Sequence, residues 1–101
     1  TQVSRYYYLM AYGKLVNPER SKEMLSYMDN PGINHKFVYT LRQIAPDAHL
    51  YRKSGTWRTF HSDSVLVWGP ERRYILVGLI DDAEGEKILR DMVVVIDNML
   101  K

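Results

Sequence analysis

The chain contains no cysteine, carries little net charge and has no long apolar run. The absence of cysteine excludes thiolate catalysis, cysteine-ligated zinc and a disulfide scaffold. A net charge of +2, with basic and acidic residues interleaved, argues against a nucleic-acid partner. The apolar runs are far shorter than the roughly 20 residues of a membrane span. The opening residues also lack the basic and apolar segments of a signal peptide. The three histidines show no ligand spacing, so we expect no metal, and no cofactor is implied.

What the chain does contain is enough for one small folded domain. It has 101 residues, of which 46% are hydrophobic and 26% charged. These are ordinary values for a globular protein. A chain of this size buries roughly 60–70% of its unfolded surface, so a single core is feasible.

Helical patterns fill the first half of the chain. Apolar spacing predicts helices over about residues 3–13, 18–28 and 34–44. Asn17 and Pro18 form a start signal for the second helix, as N-cap and first helical residue. Pro46 prevents continuation of the third helix. The letters DNPG at residues 29–32 predict a turn.

The apolar period then changes to that of strands. Three strands are predicted over about residues 49–57, 59–68 and 73–81, followed by a helix over about 83–100. The runs VLVW and YILVGLI are apolar at consecutive positions, which indicates strands covered on both faces. The last helix is expected on one face and the first three helices on the other. The predicted fold class is therefore α+β, with a three-stranded antiparallel sheet flanked by helices.

The letters KSGT on the first strand carry the clearest chemistry. Lys53 and Ser54 offer a cation and a hydroxyl donor to an anionic group such as a carboxylate. Gly55 lacks a Cβ, so a ligand can approach the backbone there. The N–H of Thr56 is available to an oxyanion if this strand lies at the edge of the sheet. The alternative is an ordinary surface strand with a solvated lysine.

This stretch resembles the Lys-Thr/Ser-Gly motif of serine β-lactamases and penicillin-binding proteins. The strands TFHSDSVLVW and RRYILVGLI and the closing helix are similar to the C-terminal part of class A β-lactamase-like serine hydrolases. The helix opened by GKLVNPERSKEMLSYM resembles the helix that precedes the motif strand in that family. The resemblance covers nearly the whole chain in the same order of elements.

The resemblance implies roles for individual residues. Lys53 would act in catalysis, through its positive potential near the reactive serine. The implied substrate-binding residues are Ser54, Gly55, Thr56, Trp57, Arg58 and His61. Some members of the family keep a carboxylate-binding arginine on the neighbouring strand near His61, where this chain has none. Arg58 is therefore a candidate substitute.

The chain also departs from the family pattern. No serine is followed three residues later by lysine, so the family's Ser-x-x-Lys nucleophile is missing, and SDS at residues 62–64 is not its Ser-Asp-Asn element. We therefore expect residues 1–101 to be a single partial domain, the C-terminal part of a longer enzyme, and inactive alone. The expected partners are the remainder of that enzyme, which carries Ser-x-x-Lys, and a small-molecule or peptidoglycan-peptide substrate. The family implies a periplasmic or secreted location.

Several functions stay open at this point. The parent enzyme is expected to hydrolyse an amide such as a β-lactam through an acyl-enzyme, or to be a D,D-peptidase or an esterase-like relative. A second class is a non-catalytic module that binds a peptide or carboxylate along the strand edge. A nucleic-acid binder is disfavoured because the strands are apolar. Lys36, on the third helix, is assigned no role and is taken as the comparison lysine for Lys53.

Overall fold

The computed structural model describes residues 2–29 and 35–100. Within them four helices and three strands follow one another as α1 (Gln2–Ala11), α2 (Pro18–Tyr27), α3 (Lys36–Ile44), β1 (His49–Trp57), β2 (Phe60–Trp68), β3 (Arg73–Asp81) and α4 (Gly85–Leu100). The predicted α+β class is confirmed. The predicted start of the third helix at residue 34 and the predicted turn, apart from Asp29, lie outside the described residues.

The start of α2 is the one that the sequence indicates. Asn17 is its N-cap, and the side-chain oxygen Oδ1 accepts a hydrogen bond of 2.8 Å from the backbone N–H of Arg20. Pro18 is the first helical residue, where its missing N–H is not needed. An N-cap of this type typically stabilises a helix by about 1 kcal/mol.

The three strands form one antiparallel sheet in the order β1-β2-β3. Trp57 pairs with Phe60, so the turn between β1 and β2 has only two residues, Arg58 and Thr59. Arg58 has a φ of 54°, the left-handed conformation that two-residue hairpin turns require. The sheet is therefore a meander of two consecutive hairpins.

Each face of the sheet has its own core. On the α3–α4 face, Phe37 and Leu41 of α3 and Leu89 of α4 pack on Val65 and Val67 of β2. On the α1–α2 face, the buried residues are Tyr7, Met10 and Leu66, with Met24, Leu25 and Met28 of α2 and its C-cap packed against them. The expectation that the first three helices share one face is thus wrong for α3, which lies beside α4. The amphipathic pattern of α3 shows that one side is buried but does not show against which layer.

The α1–α2 face is covered over only part of its length. Near the turn between β1 and β2, Trp57, Phe60 and Leu79 are 69%, 53% and 81% exposed. We call these three residues the apolar patch. Leu79 belongs to the run YILVGLI, so the prediction that this strand is covered on both faces is wrong at its C-terminal end. Of the helices within residues 2–29 and 35–100, none combines the length and apolarity that crossing a membrane requires.

Candidate active site at the edge of the sheet

The outer edge of β1 is paired over only half of its length. The N–H of Arg52 donates to the carbonyl oxygen of Met28 at 2.9 Å, and Tyr51 forms an isolated bridge with Asp29. Beyond Arg52, the strand from Lys53 to Trp57 has no neighbouring strand on its outer side within the described part of the chain. As far as the described residues go, the KSGT motif therefore lies on an open strand edge.

The register decides which backbone groups point outwards from that edge. Because Trp57 and Phe60 face each other across a two-residue turn, they exchange both of their hydrogen bonds. Odd-numbered residues of β1 consequently direct their N–H and C=O groups towards β2, and even-numbered ones direct them outwards. The outward bond from the N–H of Arg52 agrees with this. By the same alternation, the N–H of Thr56 points away from the sheet.

The side chains of the motif alternate between the two faces. Leu50 packs in the core of the α3–α4 face and Tyr51 in that of the α1–α2 face. Ser54 and Thr56 therefore share the face of Leu50, and Lys53 shares that of Tyr51. Lys53 is exposed, and its ammonium group donates to the carbonyl oxygen of Ser54 at 2.7 Å. The cation thus lies along the strand edge.

An open groove of about 650 Å³ runs beside the motif at the turn end of the sheet. It is lined by Gly55, Thr56, Trp57, Phe60, His61, Ser62, Leu79, Ile80 and Asp81. The structure thus brings four of the seven candidate residues to one groove. Lys53, Ser54 and Arg58 do not line it. Arg58 lies next to it, with its guanidinium carbon 5.5 Å from the centre of the Trp57 ring.

Two glycines make room at this groove. A Cβ at Gly55 would lie 3.0 Å from the hydroxyl oxygen of Ser62, so a side chain there would crowd the surface that a ligand must approach. A Cβ at Gly85, the first residue of α4, would lie 2.5 Å from Cδ2 of His61. The His61 ring is thus held against the start of α4, where only glycine fits.

Lys36, to which the sequence assigned no role, contacts the motif strand. Its side chain is buried, and its ammonium group donates to the carbonyl oxygen of Gly55, the hydroxyl of Thr56 and the carbonyl oxygen of Ser62, at 2.9, 2.8 and 3.0 Å. It therefore lies against the motif and is not a neutral comparison for Lys53. No sequence signal marks this contact, because it depends on where α3 docks.

Arg52 and Asp63 form a buried ion pair that was not predicted from the sequence. Their side chains pair at 2.7 Å beneath the sheet, Asp63 accepts from the N–H of Phe37 at 3.0 Å, and Arg52 donates to Nδ1 of His35 at 2.8 Å. Burial, with the nearby charges of Arg52 and Lys36, lowers the pKa of His35. Strand parity gives a signal for the pair, since Arg52 follows Leu50 and Asp63 precedes Val65 on the same buried face.

In the described residues no cluster of three or more His, Cys, Asp or Glu has a geometry suited to a metal ion. The polar groups that line the groove are the hydroxyls of Thr56 and Ser62, His61 and Asp81, and the ammonium group of Lys36 contacts Gly55 and Thr56. Such groups bind and polarise a carbonyl or a carboxylate through hydrogen bonds.

Comparison with known families agrees with the α+β fold class. The model of a family described as the beta-lactamase enzyme family matches residues 1–96. The chain therefore belongs to that family, and its class is that of the β-lactamase-like hydrolases. Neither the comparison with curated proteins nor that with solved structures found a match.

Proposed function

We propose that this chain forms one wall of the active site of a serine hydrolase of the β-lactamase type. The enzyme opens an amide, such as that of a β-lactam, through an acyl-enzyme. The observation that carries this proposal is the outer edge of β1 from Lys53 to Trp57, which has no neighbouring strand among residues 2–29 and 35–100 and lies beside a groove, in a chain of this family. An extended ligand can add to such an edge through main-chain hydrogen bonds.

In this proposal each motif residue has one task. Lys53 places a positive charge at the edge, where it acts on the substrate carboxylate and on the reactive serine. Ser54 donates its hydroxyl to that carboxylate. Gly55 lets the substrate lie against the strand, and the outward N–H of Thr56 binds the oxyanion as it forms. One such donor is worth about 100-fold to 1,000-fold in kcat.

Three further residues shape the substrate site. Trp57 and His61 line the groove, and Arg58 stands beside Trp57 at its rim. Arg58 and His61 are the groups proposed to stand in for the family's missing carboxylate-binding arginine. A charge-assisted bond to a carboxylate is roughly twice as strong as a neutral one, so either residue would add affinity.

The nucleophile belongs to the remainder of the enzyme, in a Ser-x-x-Lys element that residues 1–101 do not contain. Residues 1–101 are in this proposal a partial domain that is inactive alone. The substrate is a β-lactam or a peptidoglycan peptide, and the protein works in the periplasm or outside the cell. A D,D-peptidase or an esterase-like relative uses the same wall with a different rate of deacylation.

A second candidate, a module that binds a peptide or carboxylate without catalysis, is favoured by the apolar patch. Trp57, Phe60 and Leu79 lie next to the open edge and give an added strand apolar contacts. This candidate needs no nucleophile, so covalent labelling separates it from the hydrolase.

The test is hydrolysis of nitrocefin and of p-nitrophenyl esters by the full-length protein, together with mass spectrometry after incubation with a penicillin. The hydrolase proposal expects turnover and a covalent adduct on a serine outside residues 1–101. Reversible binding of a peptide carboxylate, with neither turnover nor adduct, would support the binding module and overturn the hydrolase.

A further inference from the structure

Lys36 makes an unusual set of contacts for a lysine that begins a helix. Its side chain is 1% exposed, and its ammonium group has hydrogen-bond acceptors on two different strands. Its backbone has a φ of 54°, a left-handed conformation that residues other than glycine rarely adopt. Strained backbone of this kind persists only where the surrounding contacts hold it. The ammonium group of Lys36 is bound to Gly55 and Thr56 on β1 and to Ser62 on β2.

One of these contacts falls on the peptide group that joins Gly55 to Thr56. In a trans peptide the C=O of one residue and the N–H of the next point in opposite directions. The oxygen of Gly55 accepts from Lys36 at 2.9 Å, while the N–H of Thr56 points outwards at the open edge. The cation and the outward donor therefore occupy the two ends of one peptide group.

Charge at the oxygen end strengthens the donor at the nitrogen end. A positive group on a carbonyl oxygen draws electron density through the amide, and hydrogen bonds in a chain polarise one another by about 10–30% per bond. The second contact of Lys36, to the hydroxyl of Thr56 at 2.8 Å, holds the same residue from the side. Both contacts act on the single group that faces the developing oxyanion.

We propose that Lys36 is a positioning residue that orients and polarises the Gly55–Thr56 peptide, so that the N–H of Thr56 becomes a stronger oxyanion donor. The inference rests on the proposed function, because it assigns the oxyanion to that N–H. Lys36 itself does not touch the substrate.

The groups around Lys36 determine the pH range in which its ammonium group is charged. Arg52 from β1, Asp63 from β2, Glu86 from α4 and the neighbouring His35 face it. Burial, with the charge of Arg52, lowers its pKa, while Asp63 and Glu86 oppose that shift. Lys36 therefore loses its proton at a pH below the ordinary lysine value of 10.5, within reach of a titration.

The first test observes the peptide group directly in the full-length protein. Gly55–Thr56 is the only Gly-Thr pair in residues 1–101, so carbonyl-¹³C glycine combined with ¹⁵N threonine limits the signals to it and to any Gly-Thr pairs elsewhere in the full-length protein. Loss of the signal in Thr56→Val assigns it. We expect the Gly55 carbonyl resonance of the unaltered protein to move upfield as pH rises, with the same midpoint as the side-chain nitrogen of Lys36. A Gly55 carbonyl resonance that does not titrate with the same midpoint as Lys36 would overturn the proposal. The measurement is made on the protein with Lys36 in place, so it does not depend on whether a Lys36 variant folds.

The second test measures catalysis with Lys36→Met, which keeps the side-chain length and removes the charge. We expect kcat to fall about 10-fold to 100-fold, less than on removal of a whole oxyanion donor, with a small change in KM. Lys36→Arg should recover part of the loss, and Lys87→Met, at an exposed site on α4, should change nothing. A loss from Lys53→Ala without a loss from Lys36→Met would overturn only this inference. Unaltered activity in Lys53→Ala would overturn the proposed function itself.

Discussion

The Nη2 atom of Arg52 lies 2.7 Å from Oδ2 of Asp63, with only 4% and 0% of the two side chains exposed. This pair joins β1 to β2 directly behind the motif. Asp63 also accepts from the N–H of Phe37 at 3.0 Å, which fixes the start of α3. One carboxylate thus connects two strands and a helix at the point where the candidate site is built.

Removal of that carboxylate charge should destabilise the protein strongly. Asp63→Asn leaves the Arg52 guanidinium buried without its counter-charge, and breaking a buried pair in this way costs about 3–5 kcal/mol. Asp91→Asn is the matched control, because Asp91 is 70% exposed and its lysine partner is 3.9 Å away. We expect it to cost at most about 1 kcal/mol. The measurement is the free energy of unfolding in urea, and equal losses in the two variants would contradict the assignment.

Lys53→Ala should lower kcat/KM of the full-length enzyme by more than about 100-fold, since in the proposed function it removes a charge that acts on substrate and serine together. Ser54→Ala should cost less, about 1–2 kcal/mol and mainly in KM, because its hydroxyl is one contact among several. Lys87→Ala on α4 is the comparison, in place of Lys36, which contacts the motif. The expected order is Lys53, then Ser54, then Lys87. Equal rates for the Lys53 and Lys87 variants would make the motif an ordinary strand.

His35 should make the fold sensitive to acid. Its Nδ1 accepts from Arg52 at 2.8 Å, and since arginine has no acceptor the ring must be unprotonated there. Burial lowers its pKa in the folded protein below the ordinary 6.5. At His35 the folded state then binds fewer protons than the unfolded state, so the contribution of His35 to stability is fully present above pH 6.5 and falls as the pH drops towards the lowered pKa.

The variant His35→Gln should lose this acid-dependent part of the stability. Urea unfolding at a series of pH values between neutral and acid measures the slope. His49→Gln, which leaves the contact between His35 and Arg52 in place, is the control and should keep the fall that this contact causes. The same slope in His35→Gln as in the unaltered protein would show that the contact does not affect stability.

The apolar patch should drive self-association of residues 1–101 expressed alone. Trp57, Phe60 and Leu79 stand exposed beside an unpaired strand edge, and both features favour association. Light scattering should show dimers or larger species, and Trp57→Ser with Leu79→Ser should reduce them. The substitution Tyr27→Ser, which removes an exposed aromatic side chain on α2, serves as the control. A stable monomer with a cooperative melt would contradict this expectation.

Local patterns predict most of this fold because its elements have clear signals. Asn17 and Pro18 open α2, and the change of apolar period near residue 49 separates helices from strands. The docking of α3 was not predictable, since an amphipathic helix fits either face of a sheet. The exposure of Leu79 was missed for a related reason: a run of apolar letters does not show where the covering helix stops.

The candidate site is likewise predictable from the sequence only in part. The KSGT letters mark the strand but not its place at the edge of the sheet, and strand parity would have given the pairing of Arg52 with Asp63. The contact of Lys36 with Gly55 spans 19 residues of sequence and depends on the docking of α3, so no local pattern contains it. Whether Lys53 and its neighbours act on a substrate stays a prediction until the variants are measured.

The bond from the N–H of Arg52 to Met28 has a consequence for any chain that adds to β1. This bond occupies the outward-pointing N–H of Arg52, two residues before Ser54. A strand that adds to β1 therefore cannot pair with Arg52 or with the residues before it. In the proposed function, a strand that adds to β1 would pair between Lys53 and Trp57 and would end against Met28 and Asp29. The bond at Arg52 would set the alignment of such a ligand, and a longer peptide would have to bend away there.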